Sequence, residues 1–498
     1  MPEQSLLDSM GAVAGGCRPS SDGGASEGSI LLLSTSLLTD RILLYTRAIE
    51  VLASRIPVRV WTLSAHLPGL WDGVPACVEP YPKVHPFREF PFNHLRRVNE
   101  AAWDYRLRPV SRISMDRHFG KYRTSPYLRF LKLMGMGLGA ARLETWFEAR
   151  LERLLLRYPR SPEATARFAE CRPSIVVSTG PYQFNDPGVV AAAKLAGIPV
   201  VAYIPSFDNI TTKNRLVFTY DAFIVWSEDQ KRQLEAFYPS AREVPVYAVG
   251  APQYDVFFQE RFHQSRSEFC AEAGLREDRA IILYALGSPN LLKGEADGAV
   301  EFARWVAQGR FGDAQLIVRP HPVFDNGELH DRLAGFGPRV LLQRVSGVQA
   351  GNVRSQDVGA IREWVNSFRH ADVVVNLSST VAIDAALCDR PVVNLDYDPA
   401  PGSPQTPLIR DINHVWSHFS PVAGSGAVWL VSRPEELVHA VRTYLERPEL
   451  HREERRRMVE QVCGKVDGRA GDRFAQAILD AALATHAVDP SASRKWMQ

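Results

Sequence analysis

The chain has few cysteines, little net charge and no long apolar run. Its six cysteines (Cys17, Cys77, Cys171, Cys270, Cys388 and Cys463) show no Cys-x-x-Cys or other metal-binding spacing, so free thiols in a reducing compartment are expected. A net charge of +2 in 498 residues argues against a general polyelectrolyte partner. The stretch FLKLMGMGLGAA at 130–141 is too short for a membrane span and contains Lys132.

Two further absences concern the start of the chain. Residues 1–27 are rich in glycine and serine and have no apolar segment, so they predict a disordered tail and not a signal peptide. No GxGxxG follows the strand predicted at 29–36, and a dinucleotide-binding domain therefore gains no support.

Short β-branched apolar runs alternate with helical spacing along the rest of the chain. In the first half they predict strands at 29–36, 58–64, 173–180, 198–205, 221–228 and from 244. In the second half they predict strands from 280, at 315–319, 339–343, 373–377 and 391–395. Strands alternating with helices are typical of an α/β fold, here with two doubly wound, Rossmann-like domains. We expect a first domain over 28–255, a linker over 256–278 and a second domain over 279–455.

Residues 83–160 differ from this pattern. They contain 17 lysines and arginines against 7 acidic residues, interleaved with aromatic residues and leucine. One interpretation is a helical insertion with a solvated basic face. The other is a surface that meets anionic lipid headgroups or an anionic glycan. Nucleic acid is less favoured as a partner, because no recognised binding motif accompanies the basic residues.

Two strands of the second half end abruptly at polar residues. QLIVRPHP, at 315–322, ends in Arg319, His321 and Pro322, and DVVVNLSSTVAID, at 372–384, continues into Ser378, Ser379 and Thr380. Ligands bind outside the carboxyl ends of strands in such sheets, so these residues predict one site. Ser379 or Thr380 is also a natural N-cap for the following helix, where a phosphate could bind. The alternative is that His321 bonds only a loop and Ser379 only caps the helix.

RPHP and the later SST resemble the donor half of bacterial surface-polysaccharide GT-B transferases. That group includes capsule Kdo transferases, polysialyltransferases and CDP-glycerol glycerophosphotransferases. Three other segments resemble parts of these proteins: SFDNITTKN at 206–214, GAPQYD at 250–255 and DGRAGDR at 467–473. The resemblance implies a GT-B-like fold whose terminal helices, within 456–498, cross back onto the first domain. It also implies that His321 and Pro322 hold the donor nucleotide and that Ser378 and Ser379 bind its phosphate.

Group transfer requires that the leaving phosphate be stabilised. Ser378, Ser379, Thr380 and Arg319 suit this task, so no cofactor and no metal dependence are expected. The Gly287–Ser288 turn after the strand from 280 offers further backbone N–H groups, although its glycine could serve a purely steric purpose. Asp396 and Asp398 in NLDYDPAP, which we place in a loop after the last strand, are assigned to ribose or acceptor contact in preference to a metal.

The transfer also requires a general base, which we expect on the first domain. Asp208 in SFDN is the first candidate, Asp40 the second and Asp186 a third; Asp208 could be only a turn residue, and Thr39 or Asp40 only a helix cap. Asn209, Thr212 and Lys213 beside Asp208 would orient the acceptor. In the related glycerophosphotransferases a histidine on the N-terminal side acts as base, but neither His66 nor His85 lies in a matching motif.

Three classes of function remain open. The favoured one is a transferase that moves a glycosyl or polyol-phosphate group from a CMP- or CDP-activated donor to a cell-surface polysaccharide or glycolipid. It would act in the cytoplasm, at the inner face of the membrane if the insertion binds lipid. The others are an isomerase similar to UDP-N-acetylglucosamine 2-epimerases, and a catalytically silent GT-B module that binds a glycan or a partner.

Overall fold

Two parallel β-sheets organise the chain in the computed structural model. The structure describes residues 28–85, 91–120, 125–157, 161–288, 291–321, 327–343 and 357–487; the predicted tail at 1–27 lies outside them. The first sheet contains β1 (Ile30–Ser34), β2 (Val58–Thr62), β3 (Cys77–Pro80), β4 (Ile175–Ser178), β5 (Val200–Tyr203), β6 (Ala222–Val225) and β7 (Val246–Ala248). Its strand order is β3-β2-β1-β4-β5-β6-β7, and the sequence did not predict the edge strand β3.

Burial on both faces explains the unbroken apolar runs of this sheet. All residues of β1, β4, β5 and β6 are buried, as expected for parallel strands covered by helices on both sides. Ile30 of β1 pairs with Val58 on one side and Ile175 on the other, so β1 and β4 are neighbours despite their distance in sequence.

The helices of the first domain connect these strands. They are α1 (Leu37–Tyr45), α2 (Ala48–Ala53), α3 (Phe92–Leu107), α4 (Val110–Phe119), α5 (Pro126–Ala140), α6 (Glu144–Leu156), α7 (Pro162–Cys171), α8 (Asp186–Leu195), α9 (Asn209–Thr212) and α10 (Glu228–Phe237). The N-cap of α1 is Ser36, whose hydroxyl accepts the N–H of Thr39, so the expected cap at Thr39 or Asp40 was wrong.

The basic insertion is helical and consists of α3 to α6. Helices α3 and α5 cross at very short range because α5 presents glycines to its partner. A Cβ atom on Gly135 would lie 2.4 Å from the carbonyl oxygen of Val98, and one on Gly139 would lie 2.4 Å from that of Ala102. No described helix in the chain is both long and apolar enough to cross a bilayer.

The second sheet contains β8 (Ile281–Ala285), β9 (Gln315–Arg319), β10 (Val340–Leu342), β11 (Val373–Asn376), β12 (Val392–Leu395) and β13 (Val428–Val431). Its order is β10-β9-β8-β11-β12-β13 and every pairing is parallel. The prediction of two doubly wound α/β domains is thus confirmed. The segment at 394–401 was expected in a loop after the last strand, but its first two residues end β12, and β13 follows later in the chain.

The remaining helices are α11 (Arg266–Ala273), α12 (Glu295–Ala307), α13 (Gly327–Ala334), α14 (Val358–His370), α15 (Val381–Leu387), α16 (Thr406–His414), α17 (Ser420–Ala423), α18 (Pro434–Glu446), α19 (Arg452–Cys463) and α20 (Ala470–Ala487). Helix α11 lies within the segment that was expected to be a linker, and it packs against the second domain. The Arg266 guanidinium donates to the carbonyl oxygen of His370 at 2.9 Å and to Asp372 at 3.0 Å.

The last helix lies against the first domain. The carboxylate of Asp255 accepts the backbone N–H groups of Ala470 and Gly471 at 3.1 and 2.7 Å, which fixes the start of α20. Further along α20, the ring of Phe474 meets Tyr203 of β5 edge-on at 5.0 Å. The two domains are therefore held together by this helix as well as by the connecting chain.

Candidate active site

Each sheet has one point where the chain direction across the sheet reverses. These points lie between β1 and β4 in the first domain and between β8 and β11 in the second. Loops diverge from such a point and leave a crevice at the strand ends, where ligands bind. In the second domain the loops concerned are 286–288 after β8 and 377–380 after β11, and we call these the switch loops. They carry the predicted donor residues Gly287, Ser288, Ser378, Ser379 and Thr380.

A chain of buried amides shapes the second switch loop. Ser378 has φ of +50°, its N–H donates to Asn394 Oδ1 at 2.7 Å, and its hydroxyl donates to Asn413 Oδ1 at 2.9 Å. The Ser378 side chain is therefore engaged by its own domain. Ser379 is half-buried and Thr380 is exposed, so their hydroxyls remain the accessible ones in this loop. Thr380 occupies the N-cap position of α15 without a side-chain hydrogen bond to the backbone.

The first switch loop is held by a buried carboxyl group. Glu295, at the start of α12, accepts the N–H of Gly287 at 2.8 Å. Burial, together with the charge of Asp398, raises the pKa of Glu295 to about 8, although the Gly287 N–H lowers it. The carboxyl is thus protonated at neutral pH. The Gly287 N–H already donates to Glu295, so it is not available to a phosphate. Of the two residues predicted to contact phosphate in this loop, half-buried Ser288 is then the remaining candidate.

The structure gives Arg319 a different environment from the one expected. Its guanidinium is buried and donates to Gln343 Oε1 at 2.6 Å, Glu363 Oε1 at 3.3 Å and Ser367 Oγ at 3.4 Å. Burial lowers the pKa of Arg319 although the neighbouring carboxylates raise it. Arg319 therefore stabilises the interior of the second domain, which corrects its expected place in the open cleft.

His321 lies immediately beyond the end of β9, beside the switch loop that follows β8. Its side chain is half-buried. β9 pairs directly with β8, so His321 and the Gly287–Ser288 turn leave the same edge of the sheet at neighbouring strands. Pro322 lies outside the described residues. The nucleotide-binding role of both residues remains a prediction.

On the first domain, the SFDN segment forms a short turn that starts α9 after β5. The Asp208 carboxylate accepts hydrogen bonds from the hydroxyls of Ser206 and Thr212, the latter at 3.0 Å, and from Asn209 Nδ2 at 3.3 Å. Burial alone would raise the pKa of Asp208, but His418, the Ser206 hydroxyl and Lys213 together lower it. Asp208 is therefore an ionised group with several donors around it.

The residue that faces Asp208 comes from the second domain and was missed by sequence reasoning. His418, in the loop between α16 and α17, places Nδ1 3.3 Å from Thr211 Oγ1. The rings of Phe207 and Trp416 lie against its imidazole at 5.8 and 5.7 Å between centroids. Its only sequence signal is a histidine among aromatic and hydroxyl residues in HVWSHFS.

Helix α4 of the insertion bridges to the same loop. The Ser111 hydroxyl accepts the N–H of Ser417 at 2.7 Å, and Ser114 donates to Asp411 Oδ2 at 2.6 Å. His118 Nε2 lies 2.8 Å from the same Asp411 oxygen. Part of the insertion is thus built into the contact between the two domains.

The other two candidate bases are interior residues. Asp40 accepts hydrogen bonds from the hydroxyls of Ser34 (2.6 Å), Thr62 (2.9 Å) and Ser64 (2.6 Å), and it thereby joins the ends of β1 and β2. Burial raises its pKa despite these hydroxyls. Asp186 is fully buried at the start of α8, and burial raises its pKa to about 7 although the Ser178 hydroxyl bonds it. A catalytic role for Asp40 remains untested, but this geometry gives it a structural task.

Carboxylates at the end of β12 are also engaged within the protein. Asp396 accepts from Asn413 Nδ2 at 2.9 Å and lies 3.1 Å from His414 Nε2, while Asp398 accepts the backbone N–H groups of Ala400 and Gln405. In the described parts of the chain, no three His, Cys, Asp or Glu side chains gather as a metal site would require. Metal independence itself stays a prediction.

The comparisons with known proteins agree with this architecture. The model of the family described as CDP-Glycerol:Poly(glycerophosphate) glycerophosphotransferase matches residues 201–480, from β5 to α20. No curated protein sequence matches the chain.

Solved structures extend the likeness to the whole fold. UDP-GlcNAc 2-epimerase from Neisseria meningitidis bound to UDP-GlcNAc is similar with 12% identity and a TM-score of 0.50, over 91% of this chain and 100% of its own. S. aureus MnaA with UDP has 12% identity and a TM-score of 0.51, over 91% and 96%. The wall teichoic acid polymerase TagF, soaked with CDPG, has 11% identity and a TM-score of 0.46, over 92% and 90%. For the two epimerase-like structures, with TM-scores of 0.50 and 0.51, the likeness concerns the fold, which is GT-B.

Proposed function

The chain belongs to the CDP-glycerol:poly(glycerophosphate) glycerophosphotransferase family, and from this premise we propose that it transfers a polyol phosphate from a CDP-activated donor. The first donor to consider is CDP-glycerol, and the acceptor is a hydroxyl group of a cell-surface polysaccharide or glycolipid. The observation that carries the proposal is the extent of the family match. It includes the Asp208 turn, both switch loops and His321 in a single match.

The second domain supplies the donor side of the reaction. His321, Ser288, Ser379 and Thr380 lie at the ends of three adjacent strands, β9, β8 and β11, and none of these side chains is fully buried. The diphosphate would lie across the switch loops, where hydroxyl and backbone N–H groups offset its charge. Because Glu295 is neutral beneath the first switch loop, it does not repel that charge.

The reaction is a displacement at phosphorus. The acceptor oxygen forms a bond to the β-phosphorus of the donor, the bond from that phosphorus to the bridging oxygen breaks, and CMP leaves with the electron pair. The acceptor proton passes to a base of the protein. Catalysis then depends on positioning and on electrostatic stabilisation of the phosphoryl oxygens.

Nucleotide release tests this proposal. The purified enzyme is given CDP-glycerol, CDP-ribitol, a CMP-activated sugar or UDP-N-acetylglucosamine with a polyol-phosphate or glycolipid primer. Release of CMP that depends on the primer supports the proposal. CMP release from the CMP-sugar alone would make the enzyme a glycosyltransferase. Conversion of UDP-N-acetylglucosamine without CMP release from any donor would contradict the proposal in favour of an epimerase.

We also propose that the insertion holds the enzyme on an anionic membrane surface. One side of α5 packs on α3 through Leu131, Gly135 and Gly139. The other side, which we call the apolar face, exposes Tyr127 (48%), Phe130 (56%), Leu133 (65%) and Met134 (46%). A wide exposed apolar stripe on a helix is typical of interfacial binding.

Basic residues are exposed in the same part of the insertion. Arg129 lies on α5, Arg142 follows its end, and Arg150 of α6 lies over the exposed ring of Trp146, 5.5 Å from its centroid. An anionic bilayer offers both an apolar interior and negative headgroups, so it fits this combination better than a neutral protein partner.

Vesicle sedimentation measures this binding. Serine at both Phe130 and Leu133 should remove about 2 kcal/mol of lipid partitioning, roughly 30-fold, from half-exposed side chains of this size. Leu483→Ser, at a 70% exposed leucine on α20, serves as the matched control. Binding should require anionic lipid and weaken as salt rises. Equal binding by the double variant and the control variant contradicts the proposal.

A further inference from the structure

Asp208 and His418 form a pair that joins the two domains. They come from the turn after β5 and the loop after α16, which are separated by about two hundred residues, and Thr211 connects them by its contact with His418. Asn413, which bonds the hydroxyl of Ser378, precedes His418 by five residues. The pair therefore lies at the contact between the SFDN turn of the first domain and the segment of the second domain that also carries Asn413.

Hydrogen bonding assigns the tautomer of His418. The Thr211 hydroxyl donates to the carbonyl oxygen of Asp208 at 3.2 Å, as expected in the first turn of α9. In this arrangement the hydroxyl offers its lone pairs to His418 Nδ1, which places the ring proton on Nδ1 as part of the inference below. The other ring nitrogen, Nε2, keeps its lone pair. Among the described residues Nε2 has no hydrogen-bond partner, and it is not one of the fully enclosed polar atoms.

Electrostatics keep the ring neutral and ready to accept a proton. Burial lowers the pKa of His418, and the charge of Asp208 opposes this effect. The imidazole is thus uncharged at neutral pH, and the carboxylate beside it stabilises the imidazolium that forms when Nε2 takes a proton. A lowered pKa makes Asp208 itself a poor proton acceptor, since its oxygens already accept from Ser206, Asn209 and Thr212.

We propose that His418 is the general base of the transfer, and that Asp208 and Thr211 are positioning residues that orient it. The inference rests on the proposed function. In the step, the acceptor O–H bond breaks, its proton passes to His418 Nε2, and the oxygen forms its bond to the donor phosphorus as CMP leaves. The imidazolium then releases the proton to solvent. The base expected on the first domain is in this scheme supplied by the second, with its carboxylate partner on the first.

The charged groups around His418 are few. Asp208 acts on it from the SFDN turn, where Lys213 in turn acts on Asp208. Asp411 on α16 lies at the contact with α4, paired with Arg117 and His118. Of these, Asp208 is the group whose charge raises the pKa of His418. Replacing Asp208 with asparagine should consequently move the acid limb of the turnover profile to lower pH. A residue with only a structural role would not move that limb.

The central test compares His418→Asn with wild type in CMP release from CDP-glycerol. Asparagine keeps a donor near Nδ1 and deletes Nε2, so turnover should fall at least about 100-fold, within the usual contribution of a general base. The affinity for CDP should stay within about threefold, because the base acts mainly in the transition state. His439→Asn, an exposed histidine of the same domain on α18, is the matched control and should keep wild-type turnover.

The outcomes separate the two proposals. A wild-type enzyme that releases no CMP from any CDP-activated donor overturns the proposed function and this inference with it. An active wild type with a His418→Asn turnover within about threefold overturns the inference alone. If that variant does not fold, Thr211→Val and the imidazole nitrogen shifts of the wild type decide. A ring protonated on Nε2 overturns the inference, and a ring protonated on Nδ1 with reduced Thr211→Val turnover supports it.

Discussion

Replacing Glu295 with glutamine should stabilise the protein, and the gain should increase with pH. Glu295 is only 4% exposed, and one of its oxygens accepts the Gly287 N–H at 2.8 Å. Burial raises its pKa to about 8 from an ordinary value of 4.5. Glutamine has the same shape, retains an acceptor oxygen for that N–H and cannot ionise. The substitution removes the cost of holding a carboxylate in this site, and it adds a pH-independent cost because the amide NH2 replaces an oxygen that has no hydrogen-bond partner among the described residues.

The sign and size of the effect follow from proton linkage. The folded protein binds the Glu295 proton more tightly than the unfolded chain does. Its contribution is thus most favourable below about pH 4.5 and declines as pH rises to about 8, by about 1.4 kcal/mol per pH unit. The stability of Glu295→Gln relative to wild type should therefore rise by about 3 kcal/mol between acid and neutral pH, and by about 5 kcal/mol between acid pH and pH values above 8.

Urea unfolding at about pH 6, about pH 7.5 and about pH 9 measures these differences. Glu446→Gln, an exposed glutamate on α18, controls for the loss of one charge and should change stability by less than about 0.5 kcal/mol at each pH. If the wild-type and Glu295→Gln stabilities run parallel with pH, Glu295 does not carry the buried proton and the reasoning fails.

Three further substitutions probe other parts of the structure. Gly135→Ala brings a Cβ atom to 2.4 Å from a backbone oxygen of α3, so it should reduce the free energy of unfolding by about 1–3 kcal/mol and lower the Tm. An unchanged Tm would show that α3 and α5 can move apart without cost. Asp40→Ala leaves three buried hydroxyls without their acceptor and should cost about 3 kcal/mol in urea unfolding, whereas a loss below about 0.5 kcal/mol would contradict the structural role. His321→Ala should weaken CDP binding about tenfold by calorimetry with the fold intact, and equal affinity would remove His321 from the donor site.

The strand ends were predictable from sequence because buried parallel strands are continuous apolar runs that stop abruptly. Predicted strands at 315–319 and 373–377 correspond to Gln315–Arg319 and Val373–Asn376. The short edge strand Cys77–Pro80 was not predicted because it is only partly buried and contains Glu79 and Pro80. Its sequence of apolar and polar residues is thus typical of a loop.

The direction in which a side chain points was harder to predict from the sequence than the position of a strand end. Nothing in RPHP indicates that Arg319 turns inward to Glu363, since that contact depends on how α14 packs beside β9. The role of His418 was not predicted from the sequence for the same reason. Its partner Thr211 is 207 residues away and on the other domain, so no local periodicity brings the two together. Packing between domains creates the pair.

The bridge made by α4 has a mechanical consequence. It is carried by the first domain, yet Ser111 and Ser114 bond the second domain at Ser417 and Asp411. The second domain cannot rotate away without breaking these bonds or pulling the insertion along. A rotation that widens the crevice for a donor would thus act on these two hydrogen bonds, next to the loop that carries His418. Were the insertion to rest on a bilayer, as we propose, the second domain would be the part of the enzyme that moves relative to the membrane.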